Sequence, residues 1–193
     1  MTLSRDSLLT LEAYAKVRGS MRERVIEHKK NRCARLGNHL TFLFEDETTI
    51  RYQIQEMLHI EKIFEEEGIA AELEAYLPLV PDGSNFKATM QIEYENETER
   101  RAALGRLIGI EDRVFIQIGD EAAVYAIADE DLERENSEKT SAVHFLRFEL
   151  TDSMKKNLRS GASLTLGCDH PNYPVPASRL SDTVVRSLLD DLN

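Results

Sequence analysis

The sequence predicts an α+β fold, with an N-terminal helical hairpin and a long amphipathic helix packed on a mainly antiparallel sheet. Three observations predict it. Helix-period patterning with capping residues dominates the chain up to Pro81, two-residue alternation takes over from Phe86, and turn pairs such as Gly119-Asp120 join successive strands as hairpins. The 193 residues fit one α+β domain over 1–193, with 1–80 mainly helical and 81–193 sheet-rich.

Leu8 to Val17 reads as a first helix, ended by Gly19. Ser20-Met21-Arg22-Glu23 has capping-box spacing and starts a second, running to Lys30 and completing the hairpin. Leu40, Phe42 and Phe44 alternate with Thr41, Leu43 and Glu45 as a strand entered through Gly37-Asn38. Asp46 to Thr49 offers caps for an amphipathic helix over Thr49 to Glu66, with Ile50, Ile54, Met57, Leu58 and Phe64 on one stripe. Gly68 stops it, and Ala70 to Leu77 is a short helix before the turn Pro81-Asp82-Gly83.

Phe86 to Tyr94 alternates as a one-sided strand, and Asn96 caps a helix to Ile108. Arg113 to Ile118 and Ala122 to Ala128 form a hairpin-type pair. Asp129 to Lys139, with six acids and two bases, reads as a solvated, mobile loop. Ala142 to Leu150 is a strand, Thr151 caps a helix to Arg159, Gly161 breaks it, Ala162 to Gly167 is a strand, and Ser181 caps the last helix to Leu192.

Charge narrows the partners. The chain carries net −11, yet Lys16 to Arg35 holds eight bases and two acids, leaving −17 for the rest. Those bases are expected to pair with acidic neighbours, since no aromatic residues interleave with them as a nucleic-acid footprint would require. Neither nucleic acid nor membrane is an expected partner. No run of about 18 apolar residues is present and the N-terminus lacks a signal-peptide pattern, so a cytoplasmic protein is expected. Cys33 and Cys168 form no CxxC pair and read as buried, reduced thiols.

Three polar constellations interrupt the apolar pattern. On the long helix Glu56 and His59 are three apart and can face one ion, although a carboxylate di-iron bundle needs that element twice. Glu61 projects into the apolar stripe and must find a cation, with Arg147 the first candidate; the same burial would also suit a catalytic acid. In the strand Ala142 to Phe148, His144 shares a face with Leu146 and Phe148 as a core imidazole, and Arg147 takes the other. Cys168-Asp169-His170-Pro171-Asn172-Tyr173-Pro174 reads as a strand end leading into a rigid loop, where site residues are commonly held. Cys168 and His170 supply at most half of a closed zinc site. There is no GxSxG, HExxH, Walker loop or GxGxxG.

Arg24-Val25-Ile26, Gly37-x-His39-Leu40-Thr41-Phe42-Leu43-Phe44-Glu45, Gln53-Ile54-Gln55-Glu56-Met57 with Glu61, Val143 to Phe148, and Asp169-His170-Pro171-x-Tyr173 together resemble the bacterial domain of unknown function 3501 across essentially the whole chain. That resemblance implies no activity. It implies an accessory role in peroxide or redox defence, beside rubrerythrin and an iron–sulfur oxidoreductase. The family pattern favours arginine at position 59 and has no characteristic cysteine at 168.

The expected function is therefore a cytoplasmic accessory or binding protein with a redox protein as partner. The alternative is a small metal-binding protein or enzyme whose pocket gathers Glu45, Glu56, Glu61, His144, Arg147, Asp169, His170 and Tyr173. Its weak candidate metal ligands are Glu56, His59, Cys168 and His170. Cofactor and oligomeric state are left open.

Overall fold

A computed structural model describes residues 3–193 and shows an α+β architecture with two antiparallel sheets. Helix α1 spans Leu11–Lys30, followed by strands β1 (Cys33–Leu36) and β2 (Leu40–Glu45). Helices α2 (Glu47–Glu61) and α3 (Glu66–Tyr76) lead to β3 (Asn85–Ile92) and α4 (Glu97–Arg106). Short strands β5 (Val124–Tyr125) and β6 (Ile127–Ala128) follow β4 (Val114–Ile118). The chain closes with β7 (Val143–Glu149), α5 (Asp152–Arg159), β8 (Leu164–His170), β9 (Tyr173–Arg179) and α6 (Asp182–Leu189).

The larger sheet has the order β1-β2-β3-β7-β6 and the smaller β5-β4-β8-β9. The chain crosses from one sheet to the other at Ala126, whose N–H donates to the Val114 carbonyl. Alternation gives each sheet an apolar face, and one hydrophobic core joins Phe42, Phe44, Met90 and Phe148 of the first to Ile116, Leu164 and Leu166 of the second. A second cluster, built on Ile50, Ile54 and Leu58 of α2 with Ile69 and Leu73 of α3, lies on the helical side.

Several expectations need correction. The helical hairpin is one continuous helix: Gly19 sits mid-helix in open space, and Ser20 turns its hydroxyl back to the Val17 carbonyl at 3.0 Å instead of capping a new start. A mid-helix glycine costs only about 1 kcal/mol, less than breaking the hydrogen-bond ladder. Thr10 supplies the actual cap. Helix α2 begins earlier and ends earlier than its pattern suggests, capped by Asp46 and closed by Lys62 in the left-handed region.

The presumed loop after Cys168 is a tight β8–β9 hairpin, with Asp169 opposite Pro174. Prolines mask strand character in a sequence, yet β9 is an edge strand, where a missing donor is tolerated. Strand β1 went unrecognised because its four residues include two polar ones facing out. Cys33 is exposed rather than buried. Glycine is required at Gly37, where φ is +62° and a Cβ would lie 2.4 Å from the Tyr173 hydroxyl.

Candidate functional site

Between the outward face of the larger sheet and helices α2 and α3 lies a cavity of about 660 Å³. Its floor follows from strand register. Glu45, Lys87 and Arg147 stand directly opposite one another on β2, β3 and β7. Outward-facing positions on strands are normally solvated, but here the helical layer half-covers them. Met57, Tyr76, Leu79 and Phe145 supply apolar wall.

The cations of the wall are unequally engaged. Arg147 donates twice to Glu130, at 2.6 and 2.7 Å, and once to Glu149. Arg134 donates to Asp129 at 3.1 Å and to Asp131, with its guanidinium carbon 4.6 Å from the Phe145 ring centre. Lys87 lines the cavity with no side-chain hydrogen bond or ion pair among the described residues. Burial, and then the neighbouring Arg147 charge, push its ammonium below the ordinary lysine range. Glu45 is buried and accepts from the hydroxyls of Thr49 at 2.5 Å and Thr89 at 2.6 Å.

One end of the cavity wall is anchored by a buried polar chain. Asp129 has φ +50°, a conformation that aspartate tolerates better than most residues. Its Oδ1 accepts from the Phe145 backbone N–H at 2.9 Å, and its Oδ2 lies 2.5 Å from His144 Nδ1. On the other side of the ring, His144 Nε2 is 2.9 Å from the Thr140 hydroxyl and 3.0 Å from the Ser141 carbonyl oxygen. Glu111 approaches Nε2 at 3.8 Å, and burial pushes its carboxyl above the usual carboxylate range. Residues 129–139, expected as a solvated loop, are thus pinned at Asp129, while Glu130, Asp131 and Arg134 face the cavity.

Among the described residues, Glu111, Asp129 and His144 are the grouping of His, Cys, Asp and Glu whose ligand atoms lie close enough for one ion, within 4.8 Å of one another. The donor set suits a divalent transition metal. Both ring nitrogens of His144 already have partners, so an ion at Nε2 would have to displace Thr140 and Ser141, with Asp129 orienting the ring from behind.

The other sequence-derived candidates are dispersed. Glu56 accepts a two-pronged bond from Arg18, both at 2.8 Å, and the Tyr14 hydroxyl; the Arg18 guanidinium holds its carboxyl down at about 2. His59 instead packs edge-on to Tyr14. Glu61 is exposed and does not meet Arg147. Its helical angle matches the buried stripe, but it is the last residue of α2, where Ile60 and Phe64 also emerge into solvent at 63% and 68% exposure.

Asp169 and His170 occupy opposite faces of β8 and do not converge. Asp169 is outward, accepting from the Tyr125 hydroxyl at 2.7 Å. His170 is buried, donating from Nε2 to the Ile108 carbonyl at 3.1 Å and accepting the Asn172 N–H at Nδ1. Cys168 is buried beside the core, and both ring nitrogens of His170 are occupied, so this pair is not presented to an ion. Tyr173 latches two hairpins: its hydroxyl donates to the Leu36 carbonyl at 3.0 Å and accepts the His39 N–H at 2.9 Å. Of the eight predicted residues, Arg147 lines the cavity and Glu45 lies in the row beneath it.

Lys87, Glu111 and Asp129 escaped sequence reasoning. Lys87 sits at an outward alternation position, and Asp129 opens an acidic run that resembles solvated loop. No local signal marks Lys87: its register opposite Arg147, a like-charge pairing that sheets avoid without cause, emerges only from the fold.

The family described as "Protein of unknown function (DUF3501)" matches residues 2–192. A solved structure, described as a novel protein of unknown function from Burkholderia pseudomallei K96243, is 72% identical over 100% of both chains, with a TM-score of 0.95. No curated protein matches the chain.

Proposed function

Because the chain belongs to the DUF3501 family of proteins of unknown function, kinship brings no activity with it, and we propose from the site that it is a small-molecule-binding protein. The observation that carries this reading is Lys87: an ammonium with unspent donors inside a cavity lined by apolar groups, by Arg147 and Arg134 paired with carboxylates, and by Glu72, whose carboxyl burial pushes upward. Pockets that hold ligands combine apolar walls with a few unspent polar groups. The ligand is a molecule of a dozen or so heavy atoms, in the size range of such cavities. It has an apolar body toward Met57, Tyr76 and Leu79 and an acceptor oxygen at Lys87.

Titration with 4-phenylbutanamide, followed by shifts in backbone amide resonances, tests the reading. Shifts should cluster on β3, β7 and α3, and Lys87→Met should weaken binding by about tenfold, as loss of a hydrogen bond to a charged group does. Scattered shifts, or an affinity indifferent to Lys87, would sink it.

The accessory role implied by the family fits a binding protein of the cytoplasm that serves a redox partner, and pull-down from the source cell tests that partner. Burial raises the Cys168 thiol, which supports binding rather than thiol exchange at that residue. Metal binding is the second reading, favoured by the Glu111–Asp129–His144 grouping; metal analysis of the purified protein, with His144→Phe as control, tests it.

The basic stretch is used internally in this reading. Arg18, Lys16, Lys30 and Arg32 each meet a carboxylate of the same chain. Mobility-shift assays should show no complex with duplex DNA at physiological salt. Tight binding that weakens steeply with added salt would overturn this. No helix among the described residues is long and apolar enough to cross a membrane.

A further inference from the structure

Like charges directly opposite on neighbouring strands repel, and Lys87 and Arg147 are such a pair. Glu130 and Glu149 neutralise Arg147, while Lys87 is left beside it without a counterion in contact. A half-buried lysine next to a second cation is a setting that makes an amine more available as a nucleophile, because burial and the Arg147 charge both favour the uncharged form. The facing groups pull both ways: Arg147 favours the free amine, Glu130, Asp82 and Glu149 favour the ammonium, and Glu72, Asp131 and Arg134 also line the cavity.

The sign of the wall selects among oxygen-bearing ligands. Five carboxyl groups face three cations in the cavity lining, so a neutral carbonyl enters against less repulsion than an anion. Asp82 is already spent on the Ser84 N–H and hydroxyl, at 2.8 and 2.7 Å. Lys16 is exposed and paired with Glu12; Lys155, its side chain 14% exposed, is paired with Asp152 at 3.0 Å, and half-buried Lys29 lies over the Tyr52 ring, so neither enclosed lysine faces a cavity as Lys87 does.

We propose that Lys87 captures an aldehyde with an apolar body as a reversible imine, a step that rests on the cavity being a ligand site. The free amine of Lys87 adds to the carbonyl carbon, and a proton passes from nitrogen to oxygen to give a carbinolamine. Expulsion of the hydroxyl group as water, with a second proton from nitrogen, leaves the C=N bond. Hydrolysis returns amine and aldehyde, and no oxidant or reductant is consumed.

The test uses 4-phenylbutanal with sodium cyanoborohydride, whose hydride reduces the imine carbon and fixes it as a secondary amine. Peptide mapping then compares Lys87 with the other seven of the chain's eight lysines. Lys87 should be modified severalfold faster than any other lysine, and excess 4-phenylbutanamide should suppress that site alone. Lys87→Arg should lose the preferred adduct, and its denaturation midpoint confirms that it folds. Amide binding with even labelling of all lysines overturns the imine and leaves the cavity reading standing. Failure of the amide to bind the unmodified protein overturns both.

Discussion

Arg32→Met is expected to destabilise the protein by about 3–5 kcal/mol, the range for removing one side of a buried ion pair. Arg32 is 1% exposed, and every face of its guanidinium is used. Nε donates to the Phe44 carbonyl at 2.8 Å, Nη2 to the Glu45 carbonyl at 3.0 Å, and Nη1 to the Ser187 carbonyl and hydroxyl, both at 3.1 Å. Nη2 also meets the Asp191 carboxylate, and Asp46 lies 3.5 Å from Nε. One side chain thus ties the end of β2 to α6 and the segment after it. Methionine fills much of the same volume but leaves three carbonyls and the Asp191 carboxylate without this donor. For a chain of this length the loss corresponds to a drop in melting temperature of roughly 10 °C. A change below about 1 kcal/mol in the unfolding free energy from denaturant titration, the worth of an ordinary surface pair, would show that the network is not holding the fold.

The same network carries a pH signature. Burial outweighs the attraction of Arg32 and raises Asp191 to about 6, above its ordinary 3.8. Between those values the folded state binds more protons than the unfolded state, so this group makes stability fall as pH rises from about 4 to 6. Asp191→Asn should flatten that part of the stability profile. An unchanged profile would mean that Asp191 is ionised as readily folded as unfolded.

These effects divide according to what is legible in sequence. The period-2 runs placed β2, β3 and β7, and the buried face of His144, because strand alternation is a local property of successive residues. Asn96, Thr151 and Ser181 were legible as caps for the same reason, each bonding an amide two or three residues on. Gly19-Ser20 punctuates only in isolation: within the continuous helix Leu11–Lys30 its neighbours carry the chain through. Glu61 misled because an angle on a helical wheel does not say where the neighbouring layer ends. The β8–β9 hairpin was hidden by prolines that only an edge strand accommodates. Least legible was the cavity itself. Lys87 meets Arg147 across a sequence separation of 60 residues, and neither residue's local context shows that α2 and α3 cover that face.

Asp129→Ala should cost on the order of 3 kcal/mol or more, and should weaken ligand binding in a cavity that Asp129 does not line. The substitution removes the carboxylate that accepts from the Phe145 amide and Arg134 and contacts His144 Nδ1. A buried polar group left without its partner costs about 1–3 kcal/mol. Alanine at φ +50° adds roughly 1–2 kcal/mol of backbone strain. Asp129→Asn separates the terms, since asparagine tolerates the left-handed conformation and keeps one acceptor oxygen while losing the charge. It should recover the backbone part and, through its oxygen, one of the lost acceptor contacts, but not the charge. The consequence for binding follows from connectivity. Glu130, which holds Arg147, and Arg134, which packs on Phe145, follow directly from the Asp129 anchor. Freeing that anchor should raise amide hydrogen exchange at Phe145 and across 130–134, and should reduce 4-phenylbutanamide affinity in proportion. Retained affinity with a loosened loop would place the ligand's contacts on the sheet floor and helices alone, and unchanged exchange at Phe145 would remove Asp129 as the anchor.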